Sequence, residues 1–355
     1  MKSLSGFDPA TLWPVLLALT LGIGSGLIAA SAGVPLPWMI GPMIGTAMAA
    51  LAGMPLRGPA ALRPIVIPVL GVMLGSALTP DVFAAMGRWT MTIALLLPFL
   101  AATAAVSYAI YRRIGGYDRV TAYFCAMPGG LNDMIVLGVA AGGQERKIAL
   151  AHAARIFVVV VFVVLFFGLF MGVTSGGVGR NWTGLSVLSG LDWVVLGACA
   201  ALGVLLGGWL RLPAAPIFGP MLLSGVAHVS QVVNVPPPSV LIIAAQVVIG
   251  TVLGCRFLGA TLREVGWDLV LGLLSALAML AVAVGFAAVV AGVTHVQLSQ
   301  AFLAFSPGGL AEMSLLALAM GQDVAYVSVL HVVRIALVIG GAGVVFGWVS
   351  GSRCR

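Results

Sequence analysis

The sequence predicts an all-α integral membrane protein of two inverted repeats, each about five transmembrane helices plus a Pro-Gly-Gly element, either a re-entrant hairpin or a broken helix. Three observations carry this expectation. Charged residues are 8% of the chain and hydrophobic ones 61%, whereas a soluble domain is about a quarter charged. Apolar runs of bilayer length recur, and about 20 helical residues cross a ~30 Å hydrocarbon core. The chain also repeats itself. Pro128-Gly129-Gly130-Leu131-Asn132-Asp133-Met134 returns as Pro307-Gly308-Gly309-Leu310-Ala311-Glu312-Met313, at a shift of 179 residues. That spacing divides the 355 residues into two copies of one unit, 1–178 and 179–355.

The first full-length run is Leu12–Ala30. Ala30-Ser31-Ala32 after it looks cleavable, as in a signal peptide. The counterpart run Leu191–Leu210 lies well inside the chain, so a retained first helix is expected. Further full-length runs are Thr90–Tyr111, Ala149–Met171, Trp193–Leu210, Val270–Ala291 and Val324–Trp348. Shorter segments broken by Pro and Gly lie between them: Pro37–Ala52, Pro64–Leu78, Pro216–Val233 and Val240–Phe257. Runs this long, with weak alternation, argue against a membrane β-barrel. Helices satisfy their own backbone in lipid, so an all-helical protein is the natural reading.

The repeat extends beyond the doubled motif. Gly41-Pro42-Met43 matches Gly219-Pro220-Met221, and Gly71-Val72-Met73-Leu74-Gly75 matches Gly250-Thr251-Val252-Leu253-Gly254. These small-residue segments read as close-packing and kink sites. The join between the halves falls in Gly172–Gly190.

The fifth element of the first half runs about Arg119–Gly143, with Pro-Gly-Gly in its middle. Pro and Gly break it into two pieces, each about half a bilayer long. It is either one crossing broken at its centre or a hairpin returning to its own side. The basic residues choose between these. With every element crossing and a cytoplasmic N-terminus, nine basic residues fall inside and six outside. With the two Pro-Gly-Gly elements as hairpins, thirteen fall inside, and Arg88 and Arg180 alone fall outside. The second arrangement obeys the positive-inside rule far better. Five crossings per half then invert the second copy and send the hairpins in from opposite sides.

The repeated motif carries the candidate chemistry. Pro-Gly-Gly opens the helical ladder, because Pro lacks an N–H and Gly adopts dihedrals other residues avoid. The piece that follows presents a helix N-terminus, which suits an anion. Pro128, Gly129, Gly130, Asn132, Pro307, Gly308 and Gly309 are therefore candidate substrate-binding residues. Asp133 and Glu312 fall in the first turn of that piece. An acid there complements the helix dipole or binds a coupling cation or proton. Nineteen residues after each acid comes a histidine, His152 or His331, followed one turn later by Arg155 or Arg334. Arginines within apolar runs face an interior or a cavity. They pair with the acids or hold a substrate carboxylate with their planar fork. The histidines are packed residues or proton relays.

The doubled Pro-Gly-Gly-Leu-x-[Asp/Glu]-Met and His-x-x-Arg-Ile, with Gly-Pro-Met, resemble the membrane AbrB family, which this internal duplication defines. The resemblance covers essentially the whole chain. Members carry the labels "ammonia monooxygenase" and "transcriptional regulator". More loosely, the architecture is similar to inverted-repeat secondary transporters. The residues themselves support neither label. An Arg one turn after each His opposes metal binding, and no segment could form a DNA-reading module in water.

The expected function is secondary transport of a small anionic organic solute coupled to protons or sodium, at a mid-membrane site between the repeats. The alternative is a non-transporting membrane sensor that regulates gene expression indirectly. No enzymatic activity, cofactor or metal site is expected. Cys125, Cys199, Cys255 and Cys354 have no paired spacing, and ATP-driven transport is unlooked for without a phosphate loop. The net charge of +7 is spread through short loops, so it reads as membrane topology rather than nucleic-acid binding. Expected partners are a small-molecule substrate, a coupling ion, the lipid bilayer and, as a candidate, a second copy of the chain. The expected location is a bacterial inner membrane, with both termini cytoplasmic.

Overall fold

The computed structural model describes residues 9–80, 86–171, 182–259, 262–294 and 296–350. Among these residues the regular elements are all helices, and the α-helices fall into two matching sets of seven. The first set is α1 (Pro9–Ser31), α2 (Pro37–Leu51), α3 (Arg63–Ser76), α4 (Thr90–Ala109), α5 (Arg119–Ala126), α6 (Leu131–Ala140) and α7 (Glu145–Met171). The second is α8 (Gly190–Trp209), α9 (Ala215–Val229), α10 (Ser239–Gly254), α11 (Leu262–Thr294), α12 (Leu298–Phe305), α13 (Leu310–Ala319) and α14 (Val324–Ser350). Among the described residues seven helices are long and apolar enough to cross a membrane: α1, α4, α7, α8, α10, α11 and α14. The chain is an integral membrane protein. Most of the predicted join, including Arg180, lies outside the described residues, as do Lys2, Arg353, Cys354 and Arg355.

Local chemistry sets the helix boundaries. Pro37 and Pro216 occupy the first turns of α2 and α9, where a missing N–H costs nothing. The residues before these helices, Leu36 and Ala214, both turn the chain through the left-handed region, at φ 48° and 51°. Ser189 and Asp192 cap α8 reciprocally. Asp118 accepts from the Thr121 N–H at 2.9 Å and so starts α5. The predicted short segment Val240–Phe257 proves long enough to span. Its prolines, Pro236 to Pro238, all precede Ser239, so the helix runs unbroken into a 3-10 turn, Cys255–Phe257.

The helices group into two bodies, and each body takes elements from both halves. In one, α1, α2 and α3 pack with α8, α9 and α10. The other holds α4 to α7 and α11 to α14. Glycine lets the first body close. A Cβ on Gly71 of α3 would fall on the Ile217 carbonyl oxygen of α9, and one on Gly250 of α10 would fall on the Met39 carbonyl oxygen of α2. One turn on, Gly75 meets Met221 and Gly254 meets Met43. Partners advance together, so α3 runs parallel to α9 and α2 parallel to α10. Matching side-chain bonds fasten the pairs. The buried Ser224 hydroxyl donates to the Val72 carbonyl at 2.8 Å, and Thr46 reaches the Thr251 carbonyl at 3.5 Å.

The chain between α2 and α3 stays at the end where α2 finishes. The Arg57 N–H donates to the Pro14 carbonyl near the start of α1 at 3.1 Å. Gly58 packs on Cys255 at the end of α10. From there α3 sets off antiparallel to α2.

The Pro-Gly-Gly elements fold back on themselves. At the open end of the first, the Gln144 N–H donates to Thr121 Oγ1 at 3.0 Å and its amide reaches Asp118 at 3.4 Å. This joins the start of α5 to the residues after α6. At the open end of the second, the Gln322 amide donates to Gln297 Oε1 at 3.0 Å. A single crossing broken at its centre would hold these ends apart, so both elements are hairpins.

Gly71→Ala and Gly250→Ala should each cost about 1–3 kcal/mol, the usual penalty for overpacking. Gly24→Ala, with open space around its Cβ position, should change nothing. Thermal unfolding in nanodiscs checks this. Equal melting temperatures for all three would refute the close approach.

Candidate functional site

Four residues of the doubled motif, its two glycines, its acid and its methionine, do the same structural work in both copies. Helices α5 and α12 end at Ala126 and Phe305, and the chain turns through Met127–Gly130 and Ser306–Gly309 before α6 and α13 begin. The first glycine of each turn makes room for the motif's methionine. A Cβ on Gly129 would lie 3.1 Å from Met134 Cε, and one on Gly308 would lie 2.8 Å from Met313 Cε. The second glycine makes room for the acid. A Cβ on Gly130 would strike the Asp133 carboxylate, and one on Gly309 that of Glu312. Each acid thus folds back over the N-terminus of its own helix, where exposed N–H groups favour negative charge.

The arginines hold the other side of each turn. Arg155 donates from Nη1 to the Met127 carbonyl at 2.9 Å and from Nη2 to the Gly129 carbonyl at 3.3 Å. Arg334 makes the same pair, from Nη1 to Ser306 and from Nη2 to Gly308 at 2.7 Å. The two arginines are 3% exposed. Carbonyls freed where the helix breaks have no water to turn to in an apolar interior, and the cation supplies the missing donors. Sequence reasoning placed these arginines opposite the acids or a substrate. The structure places both on backbone carbonyls of the turns.

The two turns lie close together. Gly129 is packed against Val338, one helical turn from Arg334 on α14, at 2.7 Å from its Cβ position to Val338 Cγ1. The site is nevertheless asymmetric. Glu312 is 7% exposed, while Asp133 is open on the isolated chain. Helix α13 packs against α3 and α7, which covers Glu312.

The histidines also differ. His152 is bonded at 2.8 Å to the Phe124 carbonyl and at 2.7 Å to Arg155. His331 is bonded through Nδ1 to the Val327 carbonyl at 2.9 Å, and its Nε2 has no partner. Beside it the buried Ser306 hydroxyl is likewise unpartnered.

The structure therefore brings Pro128, Gly129, Gly130, Asp133, His152 and Arg155 to one turn, and Pro307, Gly308, Gly309, Glu312, His331 and Arg334 to the other. The Asn132 backbone lies in the first turn of α6, and its side chain is outside the described set. Sequence reasoning missed Ser306, whose counterpart is Met127. Without recurrence it carried no signal. Gln246 is 1% exposed with neither end of its amide bonded. Among the described residues no three of His, Cys, Asp and Glu converge on a point that could hold a metal.

Residues 38–350 match the family model described as "Transition state regulatory protein AbrB". The chain is 26% identical over 328 residues to the Escherichia coli (strain K12) protein named "Putative regulator AbrB", covering 92% of this chain and 93% of that one. It is 24% identical over 293 residues to the Bacillus subtilis (strain 168) protein named "Uncharacterized protein YhjN", covering 76% of this chain and 74% of that one.

Arg334→Gln should leave two buried carbonyls short of donors, at a cost of about 3 kcal/mol or more. Thermal unfolding should fall accordingly, and amide exchange should quicken across Leu310–Met313. The exposed Arg119→Gln is the control. Unchanged exchange in Arg334→Gln would show that the guanidinium does not hold the turn.

Proposed function

The chain belongs to the AbrB family, and we propose that it is a secondary transporter of a small organic anion, coupled to protons or sodium, with the solute bound between its two hairpin turns. One observation carries the reading: two turns, each with an acid at its amide end and a buried cation at its carbonyl end, lie side by side inside a membrane protein. Interrupted helices placed this way line substrate and ion sites in inverted-repeat transporters. Ionisable groups gathered in an apolar interior are costly to keep unless they are used.

The packing supports inverted repeats. Helix α2 is antiparallel to α3 and parallel to α10, the counterpart of α3. Parallel repeats would give all three one direction. With both Pro-Gly-Gly elements folded back, five crossings remain in each half, and an odd number turns the second half over. The loop bonds agree. Arg57 with Pro14, Arg146 with Gly259, and Tyr117 with Asp268 all fall on the side that the basic residues make cytoplasmic. Thr183 with Ser239, and Tyr326 with Thr92, fall on the other. Both termini then lie in the cytoplasm, with the chain in a bacterial inner membrane.

The acids suggest how coupling works. Each carboxylate occupies the helix N-terminus that an incoming anion would use. A solute carboxylate binds there when the acid has taken up a proton or a cation, so the two move together. The regulator named in Escherichia coli keeps a second reading in play: a membrane sensor that acts on gene expression through a partner.

Uptake by proteoliposomes under proton and sodium gradients separates the two. Transport predicts accumulation of a small carboxylate that falls at least tenfold in Glu312→Gln. No flux of any carboxylate, amine or amino acid under either gradient would defeat it. Topology has its own measurement. In a cysteine-free background, cysteines at Asp118 and Gln144 should label from the cytoplasm, and cysteines at Gln297 and Gln322 from outside. Labelling of all four from one side would exclude inversion.

A further inference from the structure

The two histidines stand at equivalent places in the repeat, and both are 0% exposed, yet their rings are committed differently. At His152 the bond pattern fixes the tautomer. A guanidinium has donors and no acceptor, so Arg155 donates to Nδ1, and Nδ1 carries a lone pair rather than a proton. Nε2 therefore carries the hydrogen and donates it to the Phe124 carbonyl. Both ring nitrogens are spent, and the ring ties Arg155 to the end of α5.

At His331 the pattern is reversed. Nδ1 faces the Val327 carbonyl at 2.9 Å and must donate. In the neutral ring Nε2 is then an acceptor that no donor meets, and the Ser306 carbonyl within its reach is itself an acceptor. That carbonyl is already held by Arg334. Ser306 Oγ and Arg334 Nε are also buried without partners. Three polar atoms at the second turn are thus left open.

We propose that His331 is the proton-binding histidine of the site and that His152 is a fixed brace. The proposal rests on the reading of the protein as a coupled transporter and narrows it to one ring nitrogen. A proton from water reaching the second turn bonds to the Nε2 lone pair, and the imidazole becomes an imidazolium. Nε2 changes from acceptor to donor and then competes with Arg334 for the Ser306 carbonyl. The clamp on the second turn loosens while the proton is bound. Loss of the proton to water on the other side restores the bare acceptor and the clamp. On its own helix the charged and titratable groups are Tyr326 and Arg334, and α13, packed against it, carries Glu312. Helix α12 brings none, and α4 brings only Tyr108.

Nitrogen-15 spectra of ring-labelled histidine in nanodiscs test this, with His228 and His295 replaced so that two rings remain. One ring should be the Nδ1–H tautomer and become an imidazolium as the pH is lowered. The other should stay the Nε2–H tautomer throughout. His331→Gln should remove the first and His152→Gln the second. If either variant fails to fold, the two-ring protein still decides. Two rings of the same tautomer, or protonation of the Nε2–H ring first, overturns the proposal. In proteoliposomes, His331→Gln should abolish the dependence of uptake on the proton gradient, and a dependence that survives in this variant overturns the proposal. Wild-type protein that moves no solute defeats the transport reading alone, because the ring tautomers and their protonation order are measured without transport.

Discussion

A guanidinium group bonded to the carbonyls of a broken helix is the interaction on which this structure depends. Inside a membrane protein the backbone cannot fall back on water, and each unsatisfied group costs several kcal/mol. The hairpin arms have 8 and 10 residues, too short to be stable as helices on their own. Each turn survives because Arg155 or Arg334 spans two carbonyls two residues apart with two parallel N–H groups. Lysine, a point charge on a flexible stem, could not bridge them in this way. The acid at the amide end completes the arrangement, so every end of the broken ladder meets an opposite charge.

That clamp explains the choice of neighbours. The first glycine admits the methionine that packs the turn, and the second admits the acid. A side chain at either position would have to displace the methionine or the acid. The arginine must come from a helix that passes the turn at the right height, which the constant spacing from acid to arginine secures. Around this, two bodies interlock, each drawing helices from both halves. Glycines at matching places on α3 and α10 bring backbones into contact, and matching hydroxyl bonds fasten them. The two halves are therefore not separable domains, although each is one copy of the repeat.

Much of the fold was legible because it is written in periods and charges that need no partner. Bilayer-length runs identified the long helices. The doubled Pro-Gly-Gly marked the two places where the helices break. The site was legible only as a set of residues. His152 and His331 read alike in the sequence, and so did Asp133 and Glu312, because a chain that repeats its motif predicts symmetric roles. The packing of α13 against α3 and α7 breaks that symmetry for the acids. The rotation of one imidazole breaks it for the histidines. Ser306 was illegible because a lone serine in an apolar segment carries no signal.

By itself the sequence determined a helical membrane protein with one motif written twice, and which residues stand at its two broken helices. Hydropathy, spacing and charge are properties of the chain read in order, and they act over one helix or one loop. Only the tertiary structure decided what those residues touch. Whether an arginine meets an acid or a carbonyl depends on how far α7 and α14 slide past the turns. That height comes from packing between helices far apart in the chain.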